Sequence, residues 1–191
     1  QIIWELSREN LKKKKLLLPD SVITRPLRDY VKESLFNLLT HSKLISLELD
    51  NSVVLDVFSG AGSFGIECLS RGAQKVIFIE KNNNSIDILN KNIKNLSLND
   101  RSNIIHGDFL KADLKIILKE NIKLIFLDPP FQAGFLKELF DKLKKFQKNL
   151  SDSLIIMHYE KNNKFNFNFY LNIILKKEYG RSVIIFANIK N

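Results

Sequence analysis

The residues that could do chemistry stand at the ends of apolar runs. Asp128 closes the run in LIFLDPPF, where two prolines and an aromatic follow the acid directly. Proline has no N–H and a fixed φ, so the pair stops the strand and stiffens the backbone that carries the carboxylate. Three more acids close or directly follow apolar runs: Asp56 in SVVLDVF, Glu80 in KVIFIE and Asp108 after NIIHG. Between the first two runs lies GAGSFG, Gly60 to Gly65, which satisfies G-x-G-x-x-G with Glu80 twenty residues after the first glycine. Glycines in this pattern permit a tight turn and let a ligand approach the backbone closely. The chemistry on offer is acceptance of hydrogen bonds. Glu80 suits the ribose hydroxyls of a nucleotide-like cofactor, and Asp128 offers a carboxylate held at a strand tip by a rigid backbone.

Such residues act together only if the fold gathers them. Leu27 to Thr40 has apolar positions at helical spacing. From Ser52 strands and helices alternate: SVVLDVF, then the helix SFGIECLSRG ending at Gly72, KVIFIE, a helix over Ser85 to Leu96, NIIHGD, KLIFLD, a helix over Phe135 to Leu150, and SLIIMHY. Short strands, apolar on both faces and alternating with helices, imply a mostly parallel sheet covered on both sides. LNIILKKEYGRSVIIFANI reads as a terminal hairpin that adds one antiparallel strand. In such an α/β sheet the carboxyl ends of the strands share one edge, where ligands bind. Residues 1–24 read as a basic, irregular N-terminal extension and 25–191 as one catalytic domain.

The charge of that edge selects the cofactor. NAD carries a pyrophosphate, which four carboxylates would repel. ATP on a P-loop needs Lys directly after the last glycine, and Ile66 stands there. S-adenosylmethionine, with a sulfonium, an ammonium and one carboxylate, suits an acidic rim. Asp56 is assigned to its methionine end, Glu80 to the ribose and Asp108 to the adenine amine. Phe58, Ser59, Gly60, Gly62, Ser63, Gly65, Lys81 and Phe109 complete the candidate cofactor set.

Beside a methyl donor, Asp128, Pro129, Pro130 and Phe131 resemble the D/N-P-P-Y/F motif of amino-methyltransferases. An exocyclic base amine is a poor nucleophile because its lone pair is delocalised into the ring. Hydrogen bonds to Asp128 and the Pro129 carbonyl would turn that lone pair towards the methyl group. Phe131 offers a face for a flipped-out base to stack on. The collinear segments RPLRDYVKESLFNLL, VLDVFSGAGSFGIECLSRGA, FIEKN, LDPPFQAG and EYGRSVIIF, from about Arg25 to Phe186, resemble the RsmD family of bacterial 16S rRNA guanine-N2 methyltransferases. The resemblance implies a Rossmann-like class I methyltransferase sheet, S-adenosylmethionine as cofactor, and a guanine in small-subunit ribosomal particles as substrate. The start of the chain departs from the family, whose short basic strand pair contains glycines. Here IIWELSRENLKKKKLLLPD has none and carries an acid on each side of Arg8.

The formal net charge of +9 fits a polyanionic partner. Lys outnumbers Arg 24 to six, and Asn reaches 20, so an A/T-rich coding sequence accounts for part of the lysine excess. The arginines are therefore the more telling basic residues. Arg25 and Arg28, the run Lys12, Lys13, Lys14 and Lys15, and Arg181 in YGRS are the candidate RNA contacts. Phe165, Phe167 and Phe169 alternate with Asn and fit a half-buried strand or a compositional accident better than an RNA platform. One cysteine and three scattered histidines show no metal spacing and are read as packing or surface residues. No apolar run approaches the roughly 20 residues that cross a membrane, and the chain is read as a cytoplasmic monomer. Two other functions stand beside the main reading: an adenine-N6 methyltransferase acting on nucleic acid, and a non-catalytic RNA-binding assembly factor.

Overall fold

The computed structural model describes residues 4–5, 15–18, 29–45, 47–130 and 134–190. In chain order the elements are β1 (Trp4–Glu5), β2 (Lys15–Leu16), α1 (Asp29–His41), β3 (Val53–Val57), α2 (Ser63–Ser70), β4 (Lys75–Glu80), α3 (Asn83–Asn95), β5 (Ser102–His106), α4 (Leu114–Ile117), β6 (Ile122–Leu127), α5 (Phe135–Lys144), β7 (Leu154–Glu160), β8 (Leu171–Tyr179) and β9 (Ser182–Ile189). Seven strands form one sheet in the order β5-β4-β3-β6-β7-β9-β8. The pairs from β5 through to β7 are all parallel, β9 lies antiparallel to β7, and β8 lies antiparallel to β9. Only β9 runs against the rest, as expected from the hairpin.

The two faces follow from period-two alternation in apolar strands. Val54, Val76, Phe78, Leu124, Phe126 and Ile156 meet α1, α2 and α3 in one core. Val53, Leu55, Ile77, Ile125, Leu127 and Met157 meet α4 and α5 in the other. All five residues of β3 are buried, which explains why its sequence shows no polar alternation. The chain steps outward from β3 through β4 to β5, then returns to lay β6 on the other side of β3. The switch in strand order falls between the carboxyl ends of β3 and its neighbours, the place where such sheets open a crevice.

Three local readings change. The helix expected to reach Leu150 ends at Lys144, and residues 147–149 form a 3-10 turn. Bonds from Asn149 to Phe146 and from Leu150 to Gln147 tighten the chain there and deliver Leu150 to the core. Helix α4 gives no signal in the sequence, because its four residues are too few for a helical period to register. The Phe165–Phe169 stretch is no strand but a 3-10 turn over Phe167–Phe169. Phe165 stacks on Phe140 of α5 at 5.6 Å, Phe167 is buried, and Phe169 is exposed.

The start of the chain is also more ordered than its composition suggests, since Trp4 pairs with Leu16 and Glu5 with Lys15. Leu16 and Leu18 sink into the core shared by α1 and α3. Buried Asn92 of α3 accepts from the Leu17 amide at 2.8 Å and donates to the carbonyls of Leu17 and Ala61 at 3.0 Å each. One side chain thus ties the N-terminal segment to the glycine loop. Asn92→Ala removes these three bonds and strands buried backbone groups, and is expected to cost about 2–3 kcal/mol. Urea unfolding checks this; a cost below about 0.5 kcal/mol, the range of an ordinary surface change, would show that the tie is not structural.

Candidate active site

The site is built on the strand ends of β3, β4, β5 and β6. Asp56, the penultimate residue of β3, is 1% exposed. Its Oδ2 accepts from the Gly65 amide at 2.9 Å. That amide belongs to the first turn of α2, a helix whose N-cap, Gly62, supplies no side-chain bond. The Asp56 carboxyl therefore caps α2 from the neighbouring strand. Burial pushes the Asp56 carboxyl up to about 8; the Gly65 bond opposes this, and the charges of Asp128 and Glu80 add to it.

The loop after β3 is wound tightly. Phe58 holds φ 63, a left-handed value that costs a non-glycine residue about 1–2 kcal/mol. The amides of Phe58 and Ser59 both donate to the Ile79 carbonyl, at 3.0 and 3.1 Å. The Phe58 ring packs edge-on against Phe109 and Phe135. Gly62 needs glycine twice over, since its φ is 83 and a Cβ would collide with the Leu89 side chain. Gly65 needs it for packing, because a Cβ there would strike the ring of Phe78. At Gly60 a Cβ would point into open space, so the backbone there is accessible to a ligand.

Glu80 closes β4 and holds three amides: Gly60 on Oε2, and Lys81 and Asn82 on Oε1, each at 2.8 Å. A carboxylate offers about four acceptor positions, so one remains on Oε2 beside Gly60. Asp108, two residues past β5, accepts from the Leu110 amide at 2.9 Å through Oδ1. Lys142 of α5 braces this loop, donating to the carbonyls of Leu110 and Ala112 and lying 5.5 Å from the Phe109 ring centre. Burial holds the Lys142 ammonium below its usual range, against the pull of Asp108 and Asp113.

Asp128 follows β6, and its Oδ1 lies 2.8 Å from Nδ1 of His158 near the end of β7. The side chains are 30% and 12% exposed. Burial lowers the His158 affinity for a proton, but the hydrogen bond to Asp128 and the charges of Asp128 and Glu160 outweigh it, leaving the imidazole above its ordinary range. Pro129 is buried and Pro130 half-buried.

The fold thus brings Asp56, Phe58, Ser59, Gly60, Gly62, Ser63, Gly65, Glu80, Lys81, Asp108, Phe109, Asp128, Pro129 and Pro130 to one edge of the sheet. Arg181 reaches the same edge in the β8–β9 turn, exposed, with its carbonyl accepting from the Lys161 amide at 2.8 Å. Lys15 lies in β2. Phe131, Lys12, Lys13, Lys14, Arg25 and Arg28 lie outside the described residues. Sequence reasoning misses Lys142 and, more consequentially, His158, which it takes for a packing or surface residue. His158 sits near the end of the fifth strand, so the strand-end rule that picks out the four acids would find it. Among the described residues no cluster of His, Cys, Asp and Glu could hold a metal ion.

The chain is similar to known proteins over most of its length. The family described as Conserved hypothetical protein 95 matches residues 9–188. The Ribosomal RNA small subunit methyltransferase D of Haemophilus influenzae is 33% identical over 152 residues, covering 78% of this chain and 74% of its own. Among solved structures, the Escherichia coli protein yhhF superposes with a TM-score of 0.77 over 98% of both chains at 24% identity. An RNA methyltransferase from Salinibacter ruber, crystallised with S-adenosyl-L-homocysteine, gives 0.60 over 87% of this chain and 95% of its own at 18% identity.

The Asp56 geometry makes a stability prediction. Its carboxyl keeps a proton in the folded state up to about 8 but ionises in the unfolded chain near 3.8. The folded state binds the extra proton throughout that window, so stability falls as pH rises across it. Asp56→Asn keeps an acceptor for the Gly65 amide and removes the titration. The variant is expected to melt at a higher temperature than the parent at pH 9, with the gap closing towards pH 4 in a thermal scan. A constant gap across pH would contradict the assignment.

Proposed function

The chain belongs to the Conserved hypothetical protein 95 family, the RsmD family, and from that premise we propose that it transfers a methyl group from S-adenosylmethionine to the exocyclic N2 amine of a guanine in small-subunit ribosomal RNA. The observation that carries the reading is the juxtaposition of two devices on neighbouring strands: the glycine loop after β3 and the rigid Asp128-Pro129-Pro130 backbone after β6.

The residues present fit the cofactor. The Ser59 hydroxyl oxygen is shielded from solvent and has no hydrogen-bond partner among the described residues. The space beside Gly60 is open, and Glu80 retains an acceptor position next to it. Asp56, buried among other carboxylates, gains from any cation that replaces its proton. Asp56 would hold the methionine ammonium, Glu80 the ribose, and Asp108 with Phe109 the adenine. Bound S-adenosylmethionine supplies a methyl group on a cationic sulfur.

The chain's own residues then act on the base. The Asp128 carboxylate and the Pro129 carbonyl accept hydrogen bonds from the amine and turn its lone pair out of conjugation. Asp128 stabilises the positive charge that develops on nitrogen and is the acceptor for the proton the nitrogen sheds. Phe131 supplies a stacking face for the base. Arg181, on the same edge, contacts RNA phosphate, together with Arg25, Arg28 and the Lys12–Lys15 run. The substrate is the assembled or nearly assembled small-subunit particle, and the enzyme works on it as a cytoplasmic monomer.

Incubation with labelled S-adenosylmethionine and small-subunit particles from a strain lacking this activity is expected to place the label in N2-methylguanosine after nucleoside digestion. Asp128→Ala should lower turnover by about 100-fold or more, the scale of losing a transition-state acceptor, while cofactor affinity stays within about threefold. Label in N6-methyladenosine would retain the chemistry and reject the base; no label in any nucleoside would reject the reaction. Cofactor affinity carries its own pH signature. A cation beside Asp56 requires the ionised carboxylate, so titration calorimetry should find binding weakening as pH falls below about 8, and a pH-independent affinity would remove Asp56 from the cofactor site.

A further inference from the structure

Asp128 must do more than stand near the amine. A carboxylate at the end of a strand can rotate about its terminal bond, and rotation would carry the accepting oxygen away from the substrate. The Pro129-Pro130 backbone fixes where the side chain starts but not the plane in which the carboxylate lies. That plane is set from the neighbouring strand. Strands β6 and β7 pair in parallel with Leu127 opposite Met157, so the next residues, Asp128 and His158, emerge side by side. Alternation puts His158 on the same face as Ile156, the face that also carries Phe126 and α1. On its other side β9 presents the apolar Ile184. The imidazole is 12% exposed and its Nδ1 lies 2.8 Å from Asp128 Oδ1. A carboxylate only accepts hydrogen bonds, so the shared proton sits on Nδ1.

We propose that His158 is a positioning residue for methyl transfer: by donating from Nδ1 to Oδ1 it locks the Asp128 carboxylate plane and reserves Oδ2 for the substrate amine. The inference rests on the reaction assigned above and adds a residue to it. His158 touches neither base nor cofactor in this role; it acts through Asp128. Losing the lock lets the carboxylate swing, and a misplacement of about 1 Å in a reacting geometry costs on the order of 100-fold in rate. Binding of cofactor and RNA is left alone, because neither depends on which way Oδ2 points. The electrostatic surroundings support the pairing, with the Asp128 and Glu160 charges both favouring an imidazole that keeps its proton.

Two substitutions separate the hydrogen bond from the bulk. The Asn side-chain amide can place its nitrogen close to where Nδ1 of imidazole sits, so His158→Asn keeps a donor to Oδ1. His158→Leu keeps apolar volume and has no donor. In steady-state assays on small-subunit particles, His158→Leu should lose about 30- to 100-fold in kcat, with KM for cofactor and for particles within about threefold of the parent. His158→Asn should stay within about fivefold in kcat. Thermal melting monitors folding, and His158→Ala replaces the Leu variant if that protein does not melt cooperatively. Equal kcat for parent and Leu variant overturns the inference, as does an equal loss in Asn and Leu, or a loss that falls on KM. A parent that labels no nucleoside overturns the assigned reaction and this inference with it, whereas an active parent matched by the Leu variant overturns the inference alone.

Discussion

The hydrogen bond from the Gly65 amide to the Asp56 carboxylate is the contact on which the carboxyl edge depends. It joins the first strand of the parallel sheet to the helix that follows, across a gap spanned by only five residues. The loop in between closes only with left-handed backbone at Phe58, Gly60 and Gly62. The helix can come close enough for the bond only because Gly65 has no side chain to meet Phe78. The G-x-G-x-x-G pattern, the buried acid and the ring beneath the helix are therefore one constraint met by three residue types. Phe64, from the same turn of α2, stacks on Phe126 of β6 at 3.9 Å and carries the constraint to the strand that ends in Asp128.

The charges of Asp128 and Glu80 act on Asp56 across the carboxyl edge, and the fold holds each of the four acids there differently. Glu80 is held by three amides and Asp108 by one. Asp128 has an imidazole. Among the described residues Asp56 has a single amide, and, almost wholly buried, it answers by keeping its proton. These solutions divide by position. The carboxylates towards β4 and β5 are fixed by backbone, which cannot move without moving the loop. Asp128 is fixed by a side chain from the far side of the switch point, the one arrangement in which the acceptor's direction is separable from the sheet.

The sheet is legible in the sequence because its central strands are buried on both faces and read as short apolar runs between helical periods. Its parallel direction and single antiparallel strand follow from crossovers and a terminal hairpin. The acids are legible because a charge is costly beside buried strands, so a carboxylate that closes each of four apolar runs marks an edge with work to do. What escapes is whatever depends on contacts distant in sequence. Pairing of Trp4 with Leu16 and burial of Leu16 and Leu18 are decided by α1 and α3, and nothing in a lysine-rich segment announces its partner. Helix α5 ends early because Leu150 has a place in the core, not because of a breaker. His158 is hidden because a lone histidine in an apolar strand is more often packing; only the register of β6 against β7 sets it beside Asp128.

That register also explains why the two halves of the proposed chemistry meet. Asp56 pairs across the sheet with Phe126, and Asp128 lies two residues further along the same strand direction. Neighbouring strands are about 4.8 Å apart and residues advance about 3.3 Å each, which sets the two backbone positions about 8 Å apart. In-line transfer needs the reacting atoms about 3–3.5 Å apart. A cationic centre held from the Asp56 side and an amine held from the Asp128 side fall within that reach only if both side chains lean over the same crevice. They share one face of the sheet, and the Asp128 charge helps to raise the Asp56 carboxyl, as expected of side chains over one crevice. A pyrophosphate in the same crevice would face the Asp128 carboxylate, with the Lys142 ammonium already committed to two carbonyls. The edge therefore favours a positively charged donor on one strand and a neutral amine acceptor on the next. An acid kept protonated until a cation arrives fits the first task, and an acid whose plane is locked by its neighbour fits the second.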